Sequence, residues 1–250
     1  MILIEKTEVV GWEATIRGMR NPMNSWDKSD SKYGCKSAFG SRFFCDEGES
    51  GCINWYECHG SEAELVIGYR DMTLMKQLVK AGTDHRKFMR MIVVYCDITA
   101  PLYWWKEFDT YKVGTVANSC STMHKIHAKE FDIDDFSHEH LEMLSCDIMD
   151  QHVIKTLNIY RELFLQTNDK KYWWQMIQLL PTSYNQKRTV MLNYEVLSNI
   201  YKSRKNHKLE EWHKMCCWIE SLPYSGLITG KEGEENGQSE DHHGGGEGGS

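Results

Sequence analysis

At 250 residues the chain is long enough to bury a sizeable core in one large domain. Its 41% hydrophobic and 26% charged residues suit a globular protein, and a net charge of −7 gives no global pull towards nucleic acid or an anionic membrane. There is no apolar run of the roughly eighteen residues that a membrane span needs, so no membrane association is expected.

The opening stretch MILIEKTEVVGWE is too charged for a secretory signal, and nine cysteines, an odd count, point to reduced thiols and a cytoplasmic setting. Within that stretch the spacing of Ile2, Ile4, Val9 and Val10 predicts an opening strand. From about 21 to 66 the chain is rich in Gly, Ser, Asp, Lys and Cys with no period, which predicts an irregular insertion. Cys35, Cys45, Cys52 and Cys58, followed by His59, lack the paired short spacings of a zinc site, so free thiols are expected.

Asp71 stands where a helix N-cap would, Leu74, Met75, Leu78 and Val79 share a helical face, and Gly82 marks the stop. The run from Phe88 to Ile98 predicts a buried strand, and Pro101 then suits the first turn of a helix carried on to Lys112. Trp104, Trp105 and Phe108 on that helix read as core. His124, His127 and Glu130 share the spacing of a helical metal site, but nothing around them supports one, and a surface helix is expected. Ser137 is the expected cap of a long helix reaching Phe164, followed by a helix from Lys171 to Leu180 that stops at Pro181. A short strand at Thr189–Leu192 leads to Asn193, the expected cap of the next helix. A last amphipathic helix covers Leu209 to Ile219, with the adjacent Cys216 and Cys217 reading as core rather than as a redox pair.

The elements predict one α+β domain over residues 1–222, a twisted, mainly antiparallel sheet with flanking helices. The acidic, Gly-rich segment 229–250 is expected to be a disordered tail, with His242 and His243 solvated.

Downstream of Ala100-Pro101 come Glu107, Thr110-Tyr111-Lys112 and Thr115, then Asn118, Cys120, Ser121 and Thr122. Farther on, Leu180-Pro181 and a strand lead to Asn193, Asn199 and Arg204, with Leu209, Glu210 and Lys214 beyond. In order and spacing, from Asp71 to Ile219, these residues resemble the flavin-dependent thymidylate synthases, the thymidylate synthase complementing protein family. That family carries Q-x-x-R-H-R-x-x-S and E-x-S-x-R after a helix, a Gly-His turn and a strand. Here Glu107 replaces the Gln, and Thr110 and Thr122 stand where the family has Arg, whereas Lys112 keeps a cation and Thr115 a hydroxyl.

The resemblance implies FAD-dependent transfer of a one-carbon unit from methylenetetrahydrofolate to C5 of dUMP, giving dTMP, with NADPH as reductant and a homotetrameric assembly. It implies Arg204 as the catalytic residue, lying on the pyrimidine. Thr110, Tyr111, Lys112, Asn193 and Asn199 would meet the flavin, Glu107, Thr115, Cys120 and Ser121 would join Arg204 at the nucleotide, and no metal is implied. Two alternatives stand beside it: the same fold acting on another pyrimidine nucleotide, and a nucleotide-binding scaffold without flavin.

Helical geometry adds that Asn193 and Arg204, eleven residues apart, are separated by three turns plus about 20° and can face one cavity, whereas Asn199 points elsewhere. Tyr111 is suited to stack on a flat ring and Lys112 to meet a phosphate as a point charge. A carboxylate at Glu107 is unfavourable beside an anionic nucleotide unless it is protonated or paired.

Overall fold

A computed structural model describes residues 1–36, 42–44 and 63–231. The opening alternation forms β1 (Leu3–Val10), which runs antiparallel to a later central strand with a bulge between Glu5 and Glu8, where Lys6 takes φ 50°. Gly11 turns the chain into α1 (Trp12–Arg20) at φ 96°. Any Cβ there would lie 2.2 Å from the carbonyl oxygen of Met91, so only glycine fits.

The segment expected to be irregular holds short 3₁₀ turns at Asn21–Met23 and Trp26–Lys28, then β2 (Lys32–Lys36), β3 (Arg42–Phe44) and β4 (Ala63–Val66). These strands form a second antiparallel sheet in the order β3-β2-β4. Strands of three to five residues are too short to show a period in sequence, so the composition masked them. Cys35 falls on β2, while Cys45, Cys52, Cys58 and His59 lie outside the described residues.

Asp71 does not cap α2 (Tyr69–Lys80), whose N-cap is Gly68. Asp30 serves the helix start instead, its carboxylate accepting from the backbone N–H of Arg70 at 2.8 Å and of Asp71 at 3.1 Å. The fully buried Asp71 carboxylate accepts from Arg20 Nε at 2.7 Å, Ser29 Oγ at 2.7 Å, Ser31 Oγ at 2.6 Å and the N–H of Asp30 and Ser31. This one side chain ties α1, the turn before β2 and α2 together. Gly82 follows the helix at φ 103°, as a stop residue should.

Phe88 and Met89 are buried but belong to a 3₁₀ turn, Arg86–Arg90, so the strand β5 begins only at Val93 and ends at Pro101. α3 (Leu102–Phe108) then starts at once, the N–H groups of Leu102 and Tyr103 donating to Tyr184 and Thr182 carbonyls at 3.0 Å each. It stops before Thr110, not at Lys112, and buries Trp104, Trp105 and Phe108 as expected. β6 (Val116–Ser119) follows, and α4 (Thr122–Lys125) is a single turn capped by Ser121. His127 lies past its end with its ring against Phe164 at 4.9 Å, and no group of three or more metal-ligating side chains gathers among the described residues.

Ser137 caps nothing. Its N–H donates to Ser183 O at 2.8 Å, and α5 (Met143–Ile148) begins after Glu142. A π-helical turn, Met149–Ile154, carries α5 directly into α6 (Lys155–Thr167), which keeps the expected long helix but leaves Leu141, Leu144 and Ile148 exposed. α7 (Lys170–Leu179) is capped by Asp169, and β7 (Asn185–Asn193) is longer than its apolar centre suggests. α8 (Tyr194–Arg204), α9 (Glu210–Ser221) and α10 (Gly226–Thr229) close the fold.

The main sheet has the order β1-β5-β7-β6, antiparallel throughout, so the architecture is α+β as read from the sequence. β5 and β7 pair along their whole length, from Val93↔Asn193 to Pro101↔Asn185. The core extends past residue 222: Leu227 and Ile228 are buried, and Lys231 reaches Glu220 at 2.7 Å, so Thr229–Lys231 belong to the fold. Residues 232–250, with His242 and His243, lie outside the described residues. No described helix is long and apolar enough to cross a membrane.

Burial raises the Asp71 carboxyl, but the donors Ser31, Ser29 and Arg20 outweigh it and hold it below the ordinary carboxylate value. A depressed folded pKa means the contribution is full above the unfolded value near ~3.9 and vanishes as pH falls through the folded value. Asp71→Ala leaves the Arg20 charge buried and alone, with an expected loss of about 3–5 kcal/mol in urea unfolding at neutral pH. A loss below ~1 kcal/mol would show that this network does not anchor the insertion.

Candidate functional site

Because β7 pairs with the centre of the sheet and ends at Asn193, its last residue is delivered to the start of α8. The Asn193 side chain accepts from Val196 N–H at 3.0 Å and so fixes the helix origin, as the capping expectation required. Arg204 then falls at the last turn of α8, on the side that meets the end of α3.

There Arg204 Nη1 donates to Glu107 Oε2 at 2.7 Å and Nε to the Tyr111 hydroxyl at 2.9 Å. The guanidinium lies 4.6 Å from the centre of the Trp212 ring and 5.6 Å from that of Tyr111, an aromatic lining that suits a planar cation. Trp212 Nε1 donates to the same Glu107 oxygen at 2.9 Å, and His207 Nε2 stands 3.3 Å from it. The expected conflict at Glu107 is thus resolved by pairing.

The loop after α3 brings up the rest. Gly114, at φ 80°, lies so close to the cap that a Cβ would meet Asn193 Nδ2 at 2.9 Å and Val196 Cγ2 at 3.1 Å. Phe108, Asp109, Tyr111, Lys112, Thr115 and Ala117 line a cleft of about 160 Å³. Thr115 Oγ1 is buried there without a hydrogen-bond partner. Lys112 is exposed, and Thr110 is exposed with its hydroxyl turned back to the Glu107 carbonyl at 2.7 Å.

The structure thus groups Arg204 with Glu107 and Tyr111, and Tyr111 with Lys112 and Thr115 along the cleft, while Asn193, at the other end of α8 from Arg204, lies against Gly114 of the same loop. Asn199 is exposed on another face of α8, as helical phase required. Cys120 and Ser121 are exposed beyond β6, the Ser121 hydroxyl capping α4 at 3.1 Å from His124 N–H. Trp212 and His207 complete the Arg204 environment and carry no motif; an indole on the amphipathic α9 reads simply as core. Arg188 on β7 likewise carries no motif, since a lone basic residue in a strand reads as solvated.

Among the described residues the two buried thiols, Cys96 and Cys216, are not poised for chemistry. Burial, helped by Asp97, pushes Cys96 up to about 12, and burial, helped by Cys217 and Glu220, pushes Cys216 up to about 11. Cys216 is core, but its neighbour Cys217 is exposed, against the reading of both as core. A larger cavity of about 390 Å³, near Lys205, His213, Cys217 and Lys231, holds none of the predicted residues.

The class defined by this architecture is an α+β fold whose helix-cap amide and helix-end guanidinium flank an aromatic helix end. Among solved structures it resembles thymidylate synthase X (ThyX) from Helicobacter pylori with FAD and dUMP, with TM-score 0.58 and 14% identity over 92% of this chain and 97% of that one. A second structure of the Helicobacter pylori flavin-dependent thymidylate synthase ThyX, complexed with FAD and dUMP, matches with TM-score 0.57 and 13% identity over 91% and 96%. A UMP/dUMP methylase, PolB from Streptomyces cacaoi, bound with 5-Br dUMP, gives TM-score 0.52 and 10% identity over 92% and 95%. No protein-family model and no curated protein sequence matches the chain. The fold is flavin-dependent thymidylate synthase-like.

Gly114→Ala places a methyl group against Asn193 in a left-handed backbone conformation, and is expected to destabilise the protein by more than about 1 kcal/mol. Thermal unfolding checks this; an unchanged midpoint would show that the loop is free to move away from the cap.

Proposed function

We propose that this protein catalyses FAD-dependent transfer of a one-carbon unit from methylenetetrahydrofolate to C5 of a pyrimidine nucleotide, dUMP in the first place, with NADPH as reductant. The observation that carries the reading is the contact of Arg204 with Tyr111 and Glu107 at the end of α3, where the following loop packs its Gly114 on the Asn193 amide, in a fold like that of structures holding FAD and dUMP. Arg204 would lie on the pyrimidine, where its remaining N–H groups can stabilise negative charge on a ring oxygen.

The residues present suit a flavin at one edge. Lys112 offers a cation for a phosphate, Thr115 an unspent buried hydroxyl, Tyr111 a ring face, and the close approach at Gly114 sets the Asn193 amide beside them. A bound flavin would supply the redox chemistry and carry the one-carbon unit, so no protein thiol is required, in keeping with the raised Cys96 and Cys216. A cleft of about 160 Å³ is smaller than the ~300 Å³ and more that a drug-sized ligand occupies. A homotetramer, as the resemblance implies, would let neighbouring chains complete the site, with Asn199, Cys120 and Ser121 serving a neighbour's.

One observation favours a second reading, the same chemistry on another pyrimidine nucleotide. Glu107 holds Arg204 Nη1 at 2.7 Å and leaves the guanidinium fewer donors for a uracil carbonyl than the family's Gln would. Product analysis with dUMP, UMP and dCMP separates the two.

Purified protein is expected to be yellow, with flavin absorbance near ~450 nm, and to form dTMP from dUMP when methylenetetrahydrofolate and NADPH are supplied. Arg204→Ala should lower kcat/KM by a factor on the order of a hundred, as loss of a charge-assisted contact to the reacting ring requires, while flavin absorbance persists. Colourless protein that takes up no added FAD would overturn this reading.

A further inference from the structure

Thr110 and Thr122 stand where the family pattern has Arg, so two fixed cations are missing, one from the loop after α3 and one from the turn after β6. The structure sets another guanidinium between those two places. Arg188, on β7 opposite Ser119 of β6, donates through Nη1 to Asp109 Oδ1 at 2.8 Å, next to Thr110. Its Nε donates to Gln186 Oε1 at 3.0 Å, and Gln186 Nε2 donates in turn to Thr122 Oγ1 at 2.9 Å and to the Cys120 carbonyl at 3.3 Å. Its guanidinium carbon lies 4.1 Å from the centre of the Trp105 ring, so the planar group is held flat against buried aromatic surface.

We propose that Arg188 is a phosphate-binding residue of the nucleotide site, supplying from β7 the fixed charge that Thr110 and Thr122 lack. The proposal rests on the pyrimidine-nucleotide reading above. Three features fit the role. The side chain is only 15% exposed and held from two sides and by a ring, so little rotamer entropy remains to be lost on binding. No described acceptor takes Nη2, and that atom is not among the buried unpartnered ones, so three of the five N–H donors remain, both of those on Nη2 among them. Its partner Asp109 lines the same cleft as Lys112 and Thr115, so the guanidinium stands one side chain behind that lining and reaches it when Asp109 turns away.

Asp109 is the opposing feature, since its carboxylate neutralises Arg188 in the free protein. It is 48% exposed, so it can turn into water at small cost when a dianionic phosphate arrives. A merely structural ion pair would have no preference for a phosphorylated ligand, and that difference is measurable.

The test is equilibrium binding of dUMP and of deoxyuridine to the full chain with its flavin, for the wild type, Arg188→Gln, Arg188→Lys and Asp109→Asn. Arg188→Gln is expected to weaken dUMP by a factor on the order of ten to a hundred, the worth of one charge-assisted contact, and to leave deoxyuridine unchanged. Arg188→Lys should restore part of the preference, and Asp109→Asn should bind dUMP at least as tightly as the wild type. Equal losses for nucleotide and nucleoside in Arg188→Gln, or no loss for dUMP, would overturn the proposal while leaving the nucleotide reading intact. A wild type that binds neither ligand would overturn both.

Discussion

Two consecutive helices meet a third, about a hundred residues earlier in the chain, on a single oxygen. Glu107 Oε2, at the end of α3, takes hydrogen bonds from Arg204 at the end of α8 and from Trp212 in α9, with His207 3.3 Å away. An isolated carboxylate so placed would be costly, and so would an isolated guanidinium against two aromatic rings. Each is acceptable because the other is there. The pair sets where α8 ends relative to α3, and with it where Arg204 stands relative to Tyr111 and the loop at Gly114. The same bond that fixes the geometry of the site therefore limits how many donors the site has left.

A second constraint acts from the other end of α8. The β5–β7 ladder runs unbroken from Val93↔Asn193 to Pro101↔Asn185, so the last residue of β7 faces the first of β5 while the last of β5 opens α3. Asn193 thus begins α8 beneath the start of the sheet's central strand, and Pro101 begins α3 at its opposite end. Two helices launched from opposite ends of one ladder return to meet at Glu107 and Arg204. With the strands registered by main-chain bonds, side-chain changes at the site do not disturb the frame, which lets a fold persist at 10–14% identity to its structural neighbours.

The frame was legible because its signals are local. Asn193 before an apolar helix, Pro101 after a β-branched run and Gly82 after a helical face each act through the backbone of their own neighbourhood, and each did what its type implies, with the boundaries shifted by a few residues. Asp71 misled because an acidic residue at a helix start looks the same whether it caps the helix or pairs with Arg20 across the fold. The insertion hid a sheet because its strands are shorter than the window in which alternation can be seen. At the site, helical phase gave the turning away of Asn199. The roles of Trp212, His207 and Arg188 did not follow from it, since tertiary partners of a cation leave no pattern in the spacing of either residue.

The balance of charge around the cleft decides how such a site can work. Of the charged groups, Lys112 and Asp109 line the cleft itself, while Arg188 stands behind Asp109 and the Arg204–Glu107 pair beside Tyr111, so each carboxylate is already bonded to a guanidinium and one positive charge is left over. A nucleotide phosphate brings roughly two negative charges, so its binding cannot rest on bulk attraction from a chain of net charge −7. It must instead exchange partners, taking over donors that the carboxylates hold or that remain spare on the same guanidinium. Exposed Asp109 can be exchanged cheaply, whereas Glu107, held also by Trp212, cannot. On the reading proposed above, this asymmetry would set a phosphate on the β7 side and a neutral ring on the α8 side, an orientation that follows from which ion pair can open.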